Sequence, residues 1–169
     1  MPGFKVSGVG RGANGQPKAY YSYSWYIQNL FGSSVGRDGS SALVYLKDMT
    51  LPSITISPEQ YQGSALEYKF AKSVNWDDVK VTWYDTEGLL PIMKQWRQSV
   101  WTPESGLKPA CEYKKQSALC TELPEGGGTN TWTLINSWPS TIKYGELTYT
   151  QSDVKVVDAT VTYDWAEEG

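Results

Sequence analysis

Two carboxylate pairs are the first residues in this sequence whose type and spacing could do chemistry. Asp77 and Asp78 are adjacent, and so are Glu167 and Glu168. Glycosidases use two carboxylates that face one another across the scissile bond. Adjacent residues on a strand point to opposite faces, so neither pair suits that geometry. We interpret both pairs as solvated turn or tail residues.

The other residue types that support catalysis are scarce. The sequence has no histidine, which removes the usual general base and the most common metal ligand. The segment GVGRG (8–12) resembles a phosphate loop, but it follows no predicted strand and opens no predicted helix. Cys111 and Cys120 fit no metal or redox spacing, and we interpret them as reduced thiols, with a disulfide as the alternative. We therefore expect no enzyme activity, no metal, no cofactor and no small-molecule substrate.

Composition favours a β-rich domain that does not grip nucleic acid. Of the 169 residues, 40% are hydrophobic, and eight Trp and twelve Tyr make the chain unusually aromatic. The net charge of −3 and the pI of about 5.0 leave no overall basic stripe. No apolar stretch approaches the length of a membrane span, and the N-terminal segment lacks the apolar region of a signal peptide. We expect a protein made in a cytoplasm, with no membrane contact.

Alternating apolar and polar residues predict about eight strands. Most Tyr and Trp residues fall in register with the predicted core faces, and Pro52 and Pro139 are expected to end strands. The predicted strands are 20–30, 42–52, 65–71, 78–85, 116–123, 131–138 and the two arms of a hairpin between 144 and 165.

One segment has a helical period instead. Apolar residues recur at spacings of three and four from Leu89 to Val100, which predicts a core-facing helix over about 89–101. The polar segment 102–115 is expected to be a long loop, and the glycine-rich segment 1–19 an N-terminal arm. The predicted fold is mostly β: a β-sandwich or barrel of about eight strands with one α-helix, within a domain spanning 20–169.

The last predicted strand has one apolar and one wet face. From Val157 to Trp165 the odd positions are apolar, whereas positions 158, 160, 162 and 164 are Asp, Thr, Thr and Asp. This wet face is small, β-branched and mildly acidic. It suits a surface past which something slides.

Four segments, in order, resemble the tail-tube proteins of contractile-tailed bacteriophages. That family typically has a Lys-Pro…Tyr-Lys-Lys loop after its helix, a Trp-Pro step, a Gly-Glu-Leu strand, and a last strand ending in Asp beside aromatics. The matching segments are LKPACEYKK (107–115), SWP (137–139), GELTYT (145–150) and VDATVTYDW (157–165). The sequence departs from the family pattern at Cys111, in the N-terminal arm and in the loop 32–41.

The resemblance implies a structural virion protein. Its subunits would form hexameric rings that stack into a tube, and each subunit would lend four strands to an inner barrel. The tube would be the conduit for DNA ejection and the template for sheath assembly. Its partners would be further copies of itself, the sheath protein, and the baseplate and tape-measure proteins, with duplex DNA passing through without tight binding. It would be assembled in the host bacterial cytoplasm and reside in the virion tail.

The resemblance also suggests two assembly surfaces. Contacts between stacked rings are predicted at Lys108, Glu112, Tyr113, Lys114 and Lys115. Lumen-facing positions are predicted at Glu146, Thr148, Thr150, Asp158, Thr160 and Thr162. An acidic and threonine-rich lumen would repel phosphates.

Two alternatives stay open. The chain could be the inner tube of a phage-derived contractile injection system, which carries protein instead of DNA. From a different class, aromatic side chains on a β scaffold could bind sugars, as in carbohydrate-binding modules.

Overall fold

A computed structural model describes residues 25–27, 30–31, 46–63, 66–122, 130–147 and 153–169. The fold is mostly β, as predicted, with one long and one short helix among the described residues. The strands are β1 (Trp25–Ile27), β2 (Leu46–Met49), β3 (Ser53–Gln62), β4 (Glu67–Asp77), β5 (Val79–Tyr84), β6 (Trp101–Thr102), β7 (Gly106–Leu107), β8 (Lys115–Glu122), β9 (Asn130–Lys143), β10 (Val156–Thr162) and β11 (Trp165–Glu168). The helices are α1 (Leu89–Val100) and α2 (Ala110–Tyr113).

The long strand β9 divides the main sheet into two layers. Its first half, residues 130–137, pairs with β8 on one side and β11 on the other, and β1 extends this group beyond β8. We call this group the β8 layer. The second half of β9, residues 138–143, pairs with β10, and the strand order continues through β5 to β2. We call this second group, which has four strands, the β10 layer. The strands that the structure describes do not close into a barrel within one subunit.

Both layers and α1 contribute side chains to one core. From the β10 layer come alternate residues of β5 and β10, and the β8 layer supplies Ile27, Leu134 and Ala166. The buried residues of β5 and β10 are Val79, Val81, Trp83, Val157, Ala159 and Val161. This confirms the alternation predicted for β5 and for the first part of the last strand.

The predicted helical stripe is confirmed in α1. Leu89, Ile92, Met93, Trp96 and Val100 are its buried residues. Pro91 lies in the first turn, where a missing N–H leaves no helical hydrogen bond unmade. The helix ends where Trp101 adopts an extended backbone. Phe31 packs edge-on against Trp96, with ring centroids 4.8 Å apart, and so joins α1 to the segment after β1.

The prediction that Pro139 ends a strand is wrong. β9 runs through Pro139 to Lys143, and Pro139 lies opposite Val161 at a register shift. The pairing of β9 with β8 ends at Ser137 of β9. Beyond that residue, β9 pairs only with β10 in the described part of the chain. Proline lacks an N–H donor, so a strand tolerates it where that side of the strand has no partner to accept a hydrogen bond.

The position predicted for the first arm of the C-terminal hairpin is also wrong. The arm is the end of β9, and residues 144–147 are not strand. Gly145 has a φ of +78°, which takes the chain out of the β region. Its Cα approaches the Val156 carbonyl oxygen so closely that a Cβ would clash. Glycine therefore ends the arm where the sequence pattern suggested that a strand begins.

Two other sequence predictions need correction. The sequence predicts no strand between 53 and 64, but β3 lies there and pairs with β4 in a long antiparallel hairpin. β4 also extends past the predicted 65–71 to Asp77. The predicted loop 102–115 contains the short β6–β7 ladder and α2, which give it a defined path. The arm 1–19 and the loop 32–41 lie outside the described residues.

Candidate assembly surfaces

The β3–β4 hairpin carries apolar side chains that water can reach. Near its base, Ile54 lies opposite Trp76 and Ile56 opposite Val74; near its tip, Tyr61 lies opposite Tyr68. The exposed apolar residues of the hairpin are Ile54, Ile56, Tyr61, Leu66, Tyr68, Phe70 and Val74. Tyr61 is 70% exposed and Phe70 is 62% exposed, although such residues normally lie in a core.

These exposed apolar residues lie along a narrow element, and they change faces at its register shift. The two strands pair over ten registered positions, with a shift between Ser57 and Pro58. A two-stranded hairpin is marginal by itself in water. Exposed apolar residues in this number on one element are typical of a protein interaction site. The hairpin is therefore the strongest candidate for an assembly contact, although the sequence-predicted contacts were placed elsewhere.

Hydrogen bonds at its base join the two strands of the hairpin to each other, and one of them attaches the hairpin to the body. The Asp77 carboxylate accepts a hydrogen bond from the Ser53 hydroxyl at 2.7 Å and a longer one from the Thr55 hydroxyl at 3.4 Å. The Tyr163 hydroxyl donates to the Asp77 carbonyl oxygen at 2.7 Å. The ring of Tyr163 also lies 6.1 Å from that of Trp76, centroid to centroid. Asp77 thus has a structural role at the base of the hairpin.

Burial raises the pKa of Tyr163 to about 12, and the nearby carboxylates of Asp77 and Asp78 act in the same direction. The phenol is therefore a neutral donor at physiological pH. It keeps its hydrogen bond to the hairpin base under those conditions.

The next residue, Asp164, holds a second set of contacts. Its carboxylate accepts from the Lys114 ammonium at 2.8 and 3.1 Å and from the Asn136 side-chain amide at 2.8 Å. The hydrogen bond from Lys114 is the main reason that the pKa of Asp164 lies below its ordinary value, and the bond from Asn136 adds to it. Asn136 has a φ of +57°, an uncommon backbone conformation for a residue with a side chain. It marks the bend of β9 between the two layers.

Three of the five predicted ring-contact residues contact side chains or backbone close to this bend. The Tyr113 ring packs edge-on against Trp138, with centroids 5.5 Å apart. Lys114 is paired with Asp164, and the Lys115 carbonyl oxygen accepts from the Ser137 hydroxyl at 3.3 Å. Glu112 is exposed and Lys108 is half-buried. Contact with another ring stays a prediction for these residues.

The predicted lumen positions of β10 lie on the outer face of the β10 layer. Asp158, Thr160 and Thr162 are half-buried, and they alternate with the buried valine and alanine positions. Asp158 accepts a hydrogen bond from the Thr82 hydroxyl at 2.9 Å and lies opposite Lys143 on the other side. The structure therefore brings these three residues onto one surface. Whether that surface lines a lumen stays a prediction.

Two of the other predicted lumen positions, Thr148 and Thr150, lie outside the described residues. Glu146 is exposed, but it follows the end of β9 and does not belong to the layer. With Asp158 and Lys155 it lines an open groove at that end of the β9–β10 hairpin.

The outer face of the β10 layer is less acidic than the sequence suggested. Strand pairing places Lys143, Asp158, Thr82 and Asp48 in one row across the four strands. The adjacent row holds Thr141, Thr160 and Lys80. Lysines therefore share the face with aspartates, because neighbouring strands supply residues that the pattern of β10 alone could not reveal.

The last strand departs from the predicted alternation after Tyr163. Trp165 was expected on the apolar face, but it is 43% exposed, and Ala166 is buried in its place. The Asp164 amide donates to the Ile135 carbonyl oxygen at 3.0 Å, next to the bend at Asn136. β10 and β11 are therefore separated by a break that shifts the alternation by one residue.

Other kinds of site find little support in the described part of the chain. There, no group of three or more His, Cys, Asp or Glu residues could hold a metal ion. None of the helices described is long and apolar enough to cross a membrane. Cys111 is a free, exposed thiol.

Comparison with solved structures finds similar folds in chains of contractile injection systems. A chain in the anti-feeding prophage baseplate matches with a TM-score of 0.67 and 14% identity, covering 90% of this chain and 97% of that one. A chain in the PVC sheath–tube complex in its extended state matches with a TM-score of 0.66 and 14% identity, covering 89% and 91%. The chain shares its fold with proteins of contractile injection systems.

A third match has the same character. It is a chain in the PVC sheath/tube terminator, with a TM-score of 0.66, 12% identity, and coverage of 89% of this chain and 96% of that one. No protein-family model and no curated protein matches the sequence. The matched structures agree with the resemblance to contractile-tail tube proteins that four segments of the sequence carry.

Proposed function

We propose that the protein is a structural, non-enzymatic subunit of the tube of a contractile tail or injection apparatus. In this proposal it assembles as stacked hexameric rings and serves as the template for a sheath. The observation that carries the proposal is the exposed apolar β3–β4 hairpin, on a fold shared with chains of contractile injection systems.

The hairpin supplies a physical reason to polymerise. Its exposed aromatic and branched side chains gain free energy when they leave water, at about 25 cal/mol per Å² of apolar surface. A neighbouring copy is the partner that a tube provides at every position. Because association also costs translational and side-chain entropy, several such residues per contact are needed. The hairpin carries seven exposed apolar residues, which meets that need.

The β10 layer supplies the candidate wall of the lumen. Among the described residues, β2 pairs only with β5, and residues 138–143 of β9 pair only with β10, so both lateral edges could take a strand from another copy. Six copies of this four-stranded layer give 24 strands. Strands about 4.8 Å apart and tilted by about 40° would close into a barrel roughly 48 Å across, which leaves room for a cargo. Closure would also remove edges that promote aggregation.

The cargo is either DNA, as in a phage tail, or protein, as in an injection device. The outer face of the β10 layer mixes Lys80 and Lys143 with Asp48 and Asp158. This mixture of charges is the observation that supports protein as a second candidate cargo beside DNA. Such a face lacks the uniformly negative charge that would keep a polyanion away from the wall.

We expect the assembled wall to have no micromolar affinity for duplex DNA at about 150 mM salt, because non-specific binding requires many released counterions. A gel-shift assay of tubes across a salt series tests this. Tight binding at that salt concentration would argue against a DNA conduit.

A polymerisation assay tests the tube proposal. Purified protein at high concentration, with and without baseplate components, is imaged by negative-stain electron microscopy. Rings or tubes with sixfold end-on views are expected. Particles that stay strictly monomeric in both conditions would refute the proposal.

Two neighbouring substitutions show whether the hairpin drives assembly. Phe70→Ser removes an exposed apolar side chain, and Lys69→Ser removes a charged one from the opposite face of the same strand. Both variants should fold with similar midpoints of thermal unfolding, and only Phe70→Ser should raise the concentration needed for polymerisation. If the two variants polymerise alike, the hairpin is not the contact. A glycan array with the same pair tests sugar stacking on the exposed aromatic residues.

A further inference from the structure

Two adjacent residues at the break between β10 and β11 bind two different elements. Tyr163 donates its hydroxyl proton to the Asp77 carbonyl oxygen at the base of the β3–β4 hairpin, at 2.7 Å. Asp164 accepts from Lys114, the residue directly after α2, at 2.8 Å. One short piece of backbone therefore touches both the exposed hairpin and the segment predicted to contact another ring.

That piece of backbone is itself held in place. The Asp164 amide donates to the Ile135 carbonyl oxygen, and the Asp164 carboxylate accepts from the Asn136 side chain. Tyr163 is buried, and it packs against Trp76, which is partly buried against the core. A rotation of the hairpin about its base would break the Tyr163 hydrogen bond or pull on residue 164.

We propose that Tyr163 and Asp164 form a positioning element that couples the direction of the β3–β4 hairpin to the position of α2. Tyr163 fixes the hairpin from one side of the break, and Asp164 fixes the end of α2 from the other. The link between them is a single peptide unit hydrogen-bonded to the bend of β9. Loosening either contact therefore loosens the element that the other residue holds.

The consequence for assembly depends on the proposed tube function, but the coupling itself does not. In a tube, docking of the hairpin on one neighbour would order α2 for the next contact. Preorganisation of this kind lowers the entropy cost of each added subunit. In an isolated subunit the coupling is a property of the monomer and can be measured there.

Hydrogen exchange followed by mass spectrometry on the full-length monomer tests the coupling. Tyr163→Phe keeps the ring that packs on Trp76 and removes only the hydroxyl. Loss of one hydrogen bond should accelerate exchange at the hairpin base, residues 53–57 and 73–77, about three- to tenfold. If the coupling is real, residues 110–115 also exchange faster, and Asp164→Ala accelerates exchange in both regions. The controls are Tyr84→Phe, at the exposed end of β5, and Glu168→Gln, on β11, which follows the break.

Two results would overturn the proposal. Acceleration by the same factor along the whole chain, β5 and α1 included, would mean that both residues only contribute to global stability. Acceleration confined in each variant to the element directly contacted would mean that the two contacts are independent. The polymerisation assay is run separately on the same variants. If the wild-type chain forms no tubes while the exchange pattern is as expected, the proposed function fails and the coupling stands.

Discussion

Replacing Val161 or its neighbour Thr160 with lysine should have opposite consequences for folding. Val161 is fully buried, between Val79 on one side and Pro139 on the other. A lysine there would bury an ammonium group without a partner. Such a charge costs several kcal/mol even after the structure relaxes. Because a domain is stable by only about 5–15 kcal/mol, we expect Val161→Lys to be unfolded or insoluble.

Thr160 points to the other face and lies opposite Lys80 and Thr141. Thr160→Lys loses some β propensity and places two like charges across a strand pair. Each effect is worth up to about 1 kcal/mol, so the variant should fold with a lower midpoint. Thr160→Glu is the matched control, because a carboxylate opposite Lys80 is a favourable cross-strand pair. At low salt it should be more stable than Thr160→Lys, and the difference should shrink with added salt.

Circular dichroism with urea unfolding measures all three variants. If Val161→Lys folds and Thr160→Lys does not, the register of β10 is wrong by one residue. If lysine and glutamate at position 160 are equally stable at low salt, Lys80 does not face that position. Tubes carrying Thr160→Lys then test the lumen, because this substitution adds six positive charges per ring of the proposed hexamer. DNA or protein passage that is unchanged at every salt concentration would show that the outer face of the β10 layer does not line the channel.

Three further outcomes follow from local geometry. The difference in unfolding free energy between wild type and Tyr163→Phe should be constant below pH 10 and shrink as the pH rises from 10 to 12. The reason is that only the phenol of the unfolded chain ionises in that range. Urea unfolding at a series of pH values measures this difference. Gly145→Ala should cost at least about 1–2 kcal/mol from its positive φ and the steric clash, whereas Gly88→Ala, which has open space, should change stability by less than about 0.5 kcal/mol; thermal unfolding compares them. Changing Lys114 and Lys115 to Glu also removes the Lys114–Asp164 ion pair, so the subunit should fold with somewhat lower stability and stack poorly. Normal tubes with reduced thermal stability would instead assign the segment to folding.

The parts of the fold that the sequence predicted correctly are those where one face of an element meets the core. β5 shows this well, because Val79, Val81 and Trp83 alternate with polar residues and are all buried. The helical stripe of α1 is equally clear, because burial on one side imposes a single period. In both elements the pattern and the environment share one physical cause.

The β3–β4 hairpin could not be predicted in the same way. Its apolar residues alternate like those of a core strand, but in one subunit they face water. Pro58 also interrupts the pattern of β3, at the register shift, and conceals the strand. Alternation indicates that a face becomes buried. It does not say whether the same chain or another copy buries it.

The candidate site was predicted only in part for a related reason. The even residues of β10 were correctly placed on one outer face, because their own strand determines that. The charge of that face depends on β2, β5 and β9, which contribute Asp48, Lys80 and Lys143 through pairings distant in sequence. The roles of Tyr163 and Asp164 likewise depend on a break in the strand at the bend of β9.

The same reasoning suggests why the break between β10 and β11 lies where it does. A continuous strand would keep residues 163 and 165 on the buried face and expose 164 and 166. The break keeps Tyr163 buried against Trp76, leaves Asp164 free to reach Lys114, and buries Ala166 in place of Trp165. The Trp165 side chain is thereby turned outward, and a small residue takes its position in the β8 layer. Because of this one local irregularity, β10 lies in the β10 layer and β11 in the β8 layer. The residues that contact the hairpin and α2 lie between the two strands.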